Sequence, residues 1–151
     1  MILIMVISGQ SYNFKKKGSS SLQKAHENTG NKKQVLIVED DLILSLQLEM
    51  QIKLMGYEIA GKANNATDAI EMIKEKNPDL VLMDIILAGE MDGVDAISTI
   101  RDFSDVPVLY LTGNGDEQTR RRAHASRPVA YIVKPVDMLL LKKTINEILN
   151  Y

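Results

Sequence analysis

A doubly wound α/β domain, a five-stranded parallel sheet with helices on both faces, is what this sequence predicts, and three observations predict it. Five short apolar runs alternate with five amphipathic stretches between Val35 and Leu149. The runs at residues 35–38 (VLIV) and 80–83 (LVLM) are continuously apolar, as strands of a parallel sheet covered on both faces are. The chain has 151 residues, enough for one domain with a real core and not comfortably for two.

The first strand, residues 35–38, runs into Glu39-Asp40-Asp41. Residues 42–55 fit two periods. Leu44, Leu46, Leu48, Met50, Ile52 and Leu54 alternate as in a strand, while Leu44, Leu48, Ile52 and Met55 form one helical stripe opposite polar Ser45, Glu49 and Lys53. Length decides for helix, because a strand of that size would run on the order of 40 Å. Asp41 then serves as N-cap and Gly56 as the C-terminal stop. Residues 57–61 read as a strand, and 66–76 as a helix with Ala69, Ile70 and Ile73 inward, stopped by Asn77-Pro78. The strand at 80–83 ends on Asp84. After a loop at 85–93 come a helix at 94–101 through Val94, Ile97 and Ile100, a strand at 106–111, a short helix at 117–125, and a strand at 129–133. The last helix, 138–149, is capped by Asp137 and turns Leu141, Ile145 and Ile148 inward.

Residues 1–33 read differently. Lys15-Lys16-Lys17, Ser19-Ser20-Ser21 and Asn28–Lys33 are linker-like and carry no sustained period, and residues 22–27 have too few apolar positions to anchor a helix. The expectation is a disordered tail or upstream extension ahead of a domain at 34–151; the alternative is a tether to a partner or surface through the apolar start and the lysines. That apolar start is about a third of the ~20 residues a membrane span requires and has no basic residues before it.

Composition removes several function classes. A hydrophobic content of 45% and a charged content of 25% are those of a soluble globular protein. The formal net charge of -2 gives no argument for nucleic acid or anionic membrane as partner. Without cysteine there is neither a disulfide framework nor a thiolate metal site, which is compatible with a reducing cytoplasm. His26 and His124 stand too far apart in sequence and context for a His-rich metal site.

The chemistry converges on one edge. Parallel strands end on the same side of their sheet, so Glu39 and Asp40, Asp84, Thr112 and Lys134 should face one another there. Carboxylates within a few ångströms repel unless a cation joins them. Hard oxygen ligands suit Mg2+, which favours phosphate as a co-ligand. A lysine ammonium offsets phosphoryl charge, a threonine hydroxyl can donate to a phosphoryl oxygen, and a carboxylate beside Mg2+ can accept the phosphoryl group.

These residues, with VLIVEDD at 35–41, LVLMD at 80–84, Met91-Asp92-Gly93, Leu111-Thr112-Gly113 and YIVKP at 131–135, resemble the receiver domain of two-component response regulators, from about Val35 to Leu149. The resemblance implies a flavodoxin-like strand order, 2-1-3-4-5. It implies Asp84 as phosphoacceptor, Asp40 as a direct Mg2+ ligand, Glu39 as a more distant one, and the backbone carbonyl of Ile86 completing the protein ligands. Lys134 would pair with the carboxylate or phosphate, and its bond to Pro135 would be cis. Thr112 would bond the phosphoryl group, and Tyr131 would be the aromatic switch that follows it. The implied partners are a sensor histidine kinase or histidine phosphotransfer protein, a downstream target on the face of the fourth helix, fifth strand and fifth helix, and a second copy in a homodimer. The implied location is cytoplasmic.

Five features depart from or individualise the pattern. The first acid is Glu39; Ala88 replaces a usual proline; the loop before Asp92-Gly93 is one residue longer; and Ile86 and Asn114 occupy positions that tune phosphate lifetime in the family. Asp41 reads as a helix cap, Arg120-Arg121-Arg122 with Arg127 as a solvated face, and Met50, Met55 and Met72 as packing residues. Two rival functions are weighed. A protein-binding module that is never phosphorylated is opposed by the complete set of Glu39, Asp40, Asp84, Thr112 and Lys134. A haloacid-dehalogenase-type phosphohydrolase needs an acid two residues after its nucleophile, where this chain has Ile86. The expectation is therefore a phosphoryl switch, not a turnover enzyme, with no output domain after the fifth helix.

Overall fold

The computed structural model describes residues 2–7, 10–15, 31–113 and 116–150. Strands β1 (Ile2–Ile7) and β2 (Gln10–Lys15) pair antiparallel as a two-stranded sheet, with Ile2 opposite Lys15 and Ile7 opposite Gln10. This pairing lies within residues 1–33, the segment expected as a disordered tail or upstream extension. Residues 16–30, with the weak helical stretch considered at 22–27, lie outside the described residues.

The main sheet holds β3 (Gln34–Val38), β4 (Glu58–Ala63), β5 (Leu80–Asp84), β6 (Val108–Thr112) and β7 (Ala130–Val133). They are all parallel, in spatial order β4-β3-β5-β6-β7, which is 2-1-3-4-5 among these five. The helices are α1 (Leu42–Leu54), α2 (Ala66–Lys76), α3 (Gly93–Ile100), α4 (Glu117–Ala125) and α5 (Met138–Leu149). Each predicted element is present, with ends shifted by a residue or two.

Strand alternation divides the core in two. Val35, Ile37, Leu80, Leu82, Leu109, Leu111 and Ile132 face α1 and α5, packing on Leu48, Ile52, Leu141 and Ile145. Leu36, Val38, Val81, Met83, Val108 and Tyr110 face the other way, onto Ala69, Ile73, Val94, Ile97 and Ile100 of α2 and α3 and Ala123 of α4. β3 and β5 are buried almost throughout because they lie inside the sheet with both faces covered.

Caps sit where the sequence places them. The Asp41 carboxylate accepts from the Ile43 and Leu44 N–H groups, and Asp137 from Leu139 and Leu140. Gly56, just past α1, has φ +86, open to glycine without a steric penalty. Two sequence assignments on α1 are corrected. Ser45 is buried against the sheet instead of lying on the polar stripe, and Met50 is exposed instead of packed, because the helix carries a second apolar face. Met55 and Met72 do pack against the core.

Candidate functional site

The strand ends bring the predicted residues to one place. Glu39 follows β3, and its N–H is held by the Ala63 carbonyl at 3.0 Å. Asp84 closes β5. Lys134 follows β7, with its N–H on the Thr112 carbonyl at 2.7 Å, and the Lys134–Pro135 bond is cis. The lysine Nζ donates to Glu39 Oε2 and to Asp84 Oδ2, both at 2.9 Å. The second oxygen of each acid takes a main-chain donor: Asp41 N–H to Glu39 Oε1 at 3.0 Å, and Ile86 N–H to Asp84 Oδ1 at 3.0 Å. Glu39 and Asp84 are buried, while Asp40 is exposed at the mouth.

One ammonium therefore serves two buried carboxylates, with a third acid alongside. Burial raises the Glu39 pKa above its ordinary value and the nearby Asp84 charge adds to this, against the lowering bonds from Lys134 and the Asp41 N–H. Burial works against the Lys134 charge, yet its bonds to Glu39 and Asp84 outweigh that and raise its pKa. Carboxylate oxygens of Glu39, Asp40 and Asp84 lie within 4.8 Å of one another. With three acids against one lysine, the donor set carries an excess of negative charge and only oxygen ligands, which fits a hard dication such as Mg2+.

The loop from Ile85 to Asp92 is tied to the site at two points. The Ala88 N–H donates to Asp40 Oδ2 at 3.2 Å, and the Gly93 N–H to the Ile85 carbonyl at 2.9 Å. Proline at position 88 would have no N–H to give. A Cβ on Gly93 would come within 2.0 Å of the Asp84 carbonyl oxygen, so the start of α3 can lie this close to the end of β5 only with glycine there. The sequence motif Asp92-Gly93 thus has a steric reason.

The switch residues are placed differently from the acids. Thr112 ends β6, whose Leu111 is the register partner of Asp84, and its hydroxyl is turned onto the Gly113 carbonyl at 2.8 Å. Tyr131 lies inward on the sheet face shared with α3 and α4, its ring centroid 5.6 Å from that of Tyr110. Ile86 is exposed. Asn114 lies outside the described residues.

Sequence reasoning overlooked three participants. Tyr110 reads as an ordinary core aromatic, yet its hydroxyl meets the Ser126 hydroxyl at 2.7 Å, and burial pushes its pKa up to about 12. The Ala88 amide has no side-chain signal at all. Arg122 belongs to a run read as a solvated face, but it closes on Asp92 and Asp95 at the start of α3. The structure shows a capping box of Asp92 and Asp95 at that helix start, and its partner Arg122 lies thirty residues later with no local signal.

Residues 35–146 match the family described as response regulator receiver domain. The chain belongs to that family. The chemotaxis protein CheY of Halobacterium salinarum is 35% identical over 119 residues, covering 78% of this chain and 98% of that protein. The transcriptional regulatory protein ZraR of Klebsiella oxytoca is 36% identical over 124 residues, 82% of this chain, but the chain spans only 28% of that relative's length. Among solved structures, the signal receiver domain of a modulated diguanylate cyclase from Desulfovibrio desulfuricans G20 has 31% identity and a TM-score of 0.72, covering 78% of this chain and 93% of that one. In this receiver the acidic pair, the single aspartate, the threonine and the Lys-Pro step stand at the ends of β3, β5, β6 and β7, in the order the motifs give. No helix among the described residues is long and apolar enough to cross a membrane.

Proposed function

We propose that this receiver accepts a phosphoryl group onto Asp84 from the phosphohistidine of a sensor histidine kinase or a histidine phosphotransfer protein. The observation that carries the reading is the buried Glu39–Lys134–Asp84 arrangement with Asp40 at its mouth. An Asp84 carboxylate oxygen attacks phosphorus, the P–N bond to the donor imidazole breaks, and its electron pair returns to the ring nitrogen. The product is an aspartyl phosphate.

Glu39, Asp40, Asp84 and the Ile86 carbonyl would hold Mg2+, which when bound supplies positive charge to the transferring phosphoryl oxygens. Lys134 already lies against Asp84 and supplies a second positive charge without moving far. Thr112, one register beyond the partner of Asp84, donates its hydroxyl to the phosphoryl group by exchanging its bond to Gly113, and Tyr131 follows that change. Ile86 stands where a phosphohydrolase would need an acid, so the chain acts as a stoichiometric switch and not as a turnover enzyme.

The donor would meet the outer face of α1, whose exposed Leu42, Ile43, Leu46, Met50 and Leu54 begin at the mouth of the site. A downstream target, or a second copy in a homodimer, would read the face of α4, β7 and α5. Such a relay operates in the cytoplasm. Incubation with a small-molecule phosphodonor and Mg2+ should add one phosphoryl group, and Asp84→Asn should abolish it. Equal labelling of that variant would remove Asp84 from the role, labelling in chelator would remove the metal, and no labelling of the intact site would favour a module that only binds protein.

A further inference from the structure

α4 has a single buried side chain, Ala123, so apolar packing alone does little to fix its position. Polar bonds hold it instead. At its C-terminal end the Tyr110 hydroxyl donates to Ser126 Oγ, because the one serine proton is committed to the Ala123 carbonyl at 2.7 Å. Arg101 adds a bond from Nε to the Ser126 carbonyl at 3.1 Å. Along the body of the helix the connection is Arg122. Its Nη1 donates to Asp92 Oδ2 at 2.9 Å and its Nη2 to Asp92 Oδ1 at 3.3 Å, with a further short bond from Nη2 to Asp95 Oδ1.

Those two acids form the capping box of α3. The next residue after Asp92 is Gly93, whose backbone rests against the Asp84 carbonyl too closely for any Cβ between them. A continuous series of contacts therefore runs from the main chain of Asp84 through Gly93 and Asp92 to Arg122. Neighbouring Arg121 offers a contrast: among the described residues it pairs only with Glu117 one turn back on its own helix, and both are exposed.

We propose that Arg122 is a positioning residue that ties α4 to the start of α3, and that a change at Asp84 reaches the α4 face through this bridge. The coupling half of the proposal rests on the phosphoacceptor reading; the positioning half does not. The bidentate geometry to Asp92 is one that arginine makes and lysine cannot.

Amide hydrogen exchange on the full chain, with and without phosphodonor and Mg2+, tests both halves. In unphosphorylated Arg122→Ala, amides of residues 117–126 should exchange about tenfold faster, with Arg122→Lys intermediate, Arg121→Ala unchanged and β5 unchanged in all. Asp95→Asn, which keeps the Asp92 contact, should give a smaller increase. On phosphorylation the wild-type α4 should change its exchange, and Arg122→Ala should lose most of that change. Exchange in Arg122→Ala equal to wild type or to Arg121→Ala overturns the positioning role, and a full phosphorylation response in Arg122→Ala overturns the coupling. Absence of labelling at Asp84 in the wild type would instead defeat the phosphoacceptor reading, while exchange in the unphosphorylated protein would still decide the bridge.

Discussion

α1 and α4 are attached to the same sheet by opposite means. α1 buries Ser45, Leu48 and Ile52 against β3 and its neighbours and still has five large apolar side chains facing outward. α4 buries one alanine and is held by arginine, tyrosine and serine through hydrogen bonds. Burial resists displacement in any direction, whereas hydrogen bonds are directional and can be exchanged for others at little net change. A helix held the first way is a fixed platform; one held the second way can take up another position without dismantling a core. The contrast fits a donor docking on α1 and a response read on α4.

The contrast can be broken or sharpened by substitution, and the largest effect belongs to the platform. Leu48→Ala, at a fully buried position, should lower global stability by about 2–5 kcal/mol in urea or thermal unfolding. A loss of less than about 1 kcal/mol would mean that α1 is not anchored by its core face. Tyr110→Phe should lower stability by about 0.5–1.5 kcal/mol, with faster exchange confined to α4 and its C-terminal turn. Exchange spread evenly over the sheet would contradict a local tether.

Acid should weaken the tie between α4 and the start of α3. Burial raises the Asp92 carboxyl, but the Arg122 bond and the Asp95 and Val94 N–H groups outweigh it and hold the pKa below the ordinary 3.8. A group depressed in the folded state adds stability above its unfolded pKa and loses it as pH falls through the folded one. Unfolding followed downward from pH 3.8 should thus show an acid-dependent loss that is smaller in Arg122→Ala; identical profiles would detach Asp92 from the arginine. The smallest change in stability is expected on the outer face of α1. Leu46→Gln with Met50→Gln should leave unfolding within about 0.5 kcal/mol of the parent. The same pair should slow labelling by a phosphohistidine donor protein and not by a small phosphodonor, and equal slowing of both would place the defect in the site itself.

The fold was legible because four of the five strands of the main sheet run into a residue type that a core does not tolerate and each helix carries its own cap. Asp41, Asp137, Asn77-Pro78 and Gly56 mark their boundaries by local chemistry, which sequence displays directly. The acids, Thr112 and Lys134 were legible for a related reason: parallel topology turns sequence order into spatial convergence. Three things were hidden. The alternating leucines of α1 looked like a period conflict, and the structure resolves it as a helix apolar on two faces, which demoted Met50 from the core and promoted Ser45 into it. Arg122 was submerged in an arginine run whose other members are ordinary surface charges, since nothing local tells which one finds a partner across thirty residues. Tyr110 was hidden by its setting, because a buried aromatic in a strand gives no outward sign of where its hydroxyl goes.

Ala88 gives the site loop a property that a proline there would deny it. A pyrrolidine ring stiffens a loop unconditionally, by geometry alone. The Ala88 amide stiffens it through a bond to Asp40, and only for as long as that oxygen is available. Should Asp40 be drawn onto a cation, the loop loses one of its two ties while Gly93 keeps the other. Rigidity beside Asp84 thus becomes a variable set by what the Asp40 carboxylate is bound to, and the loop can report that by its own motion.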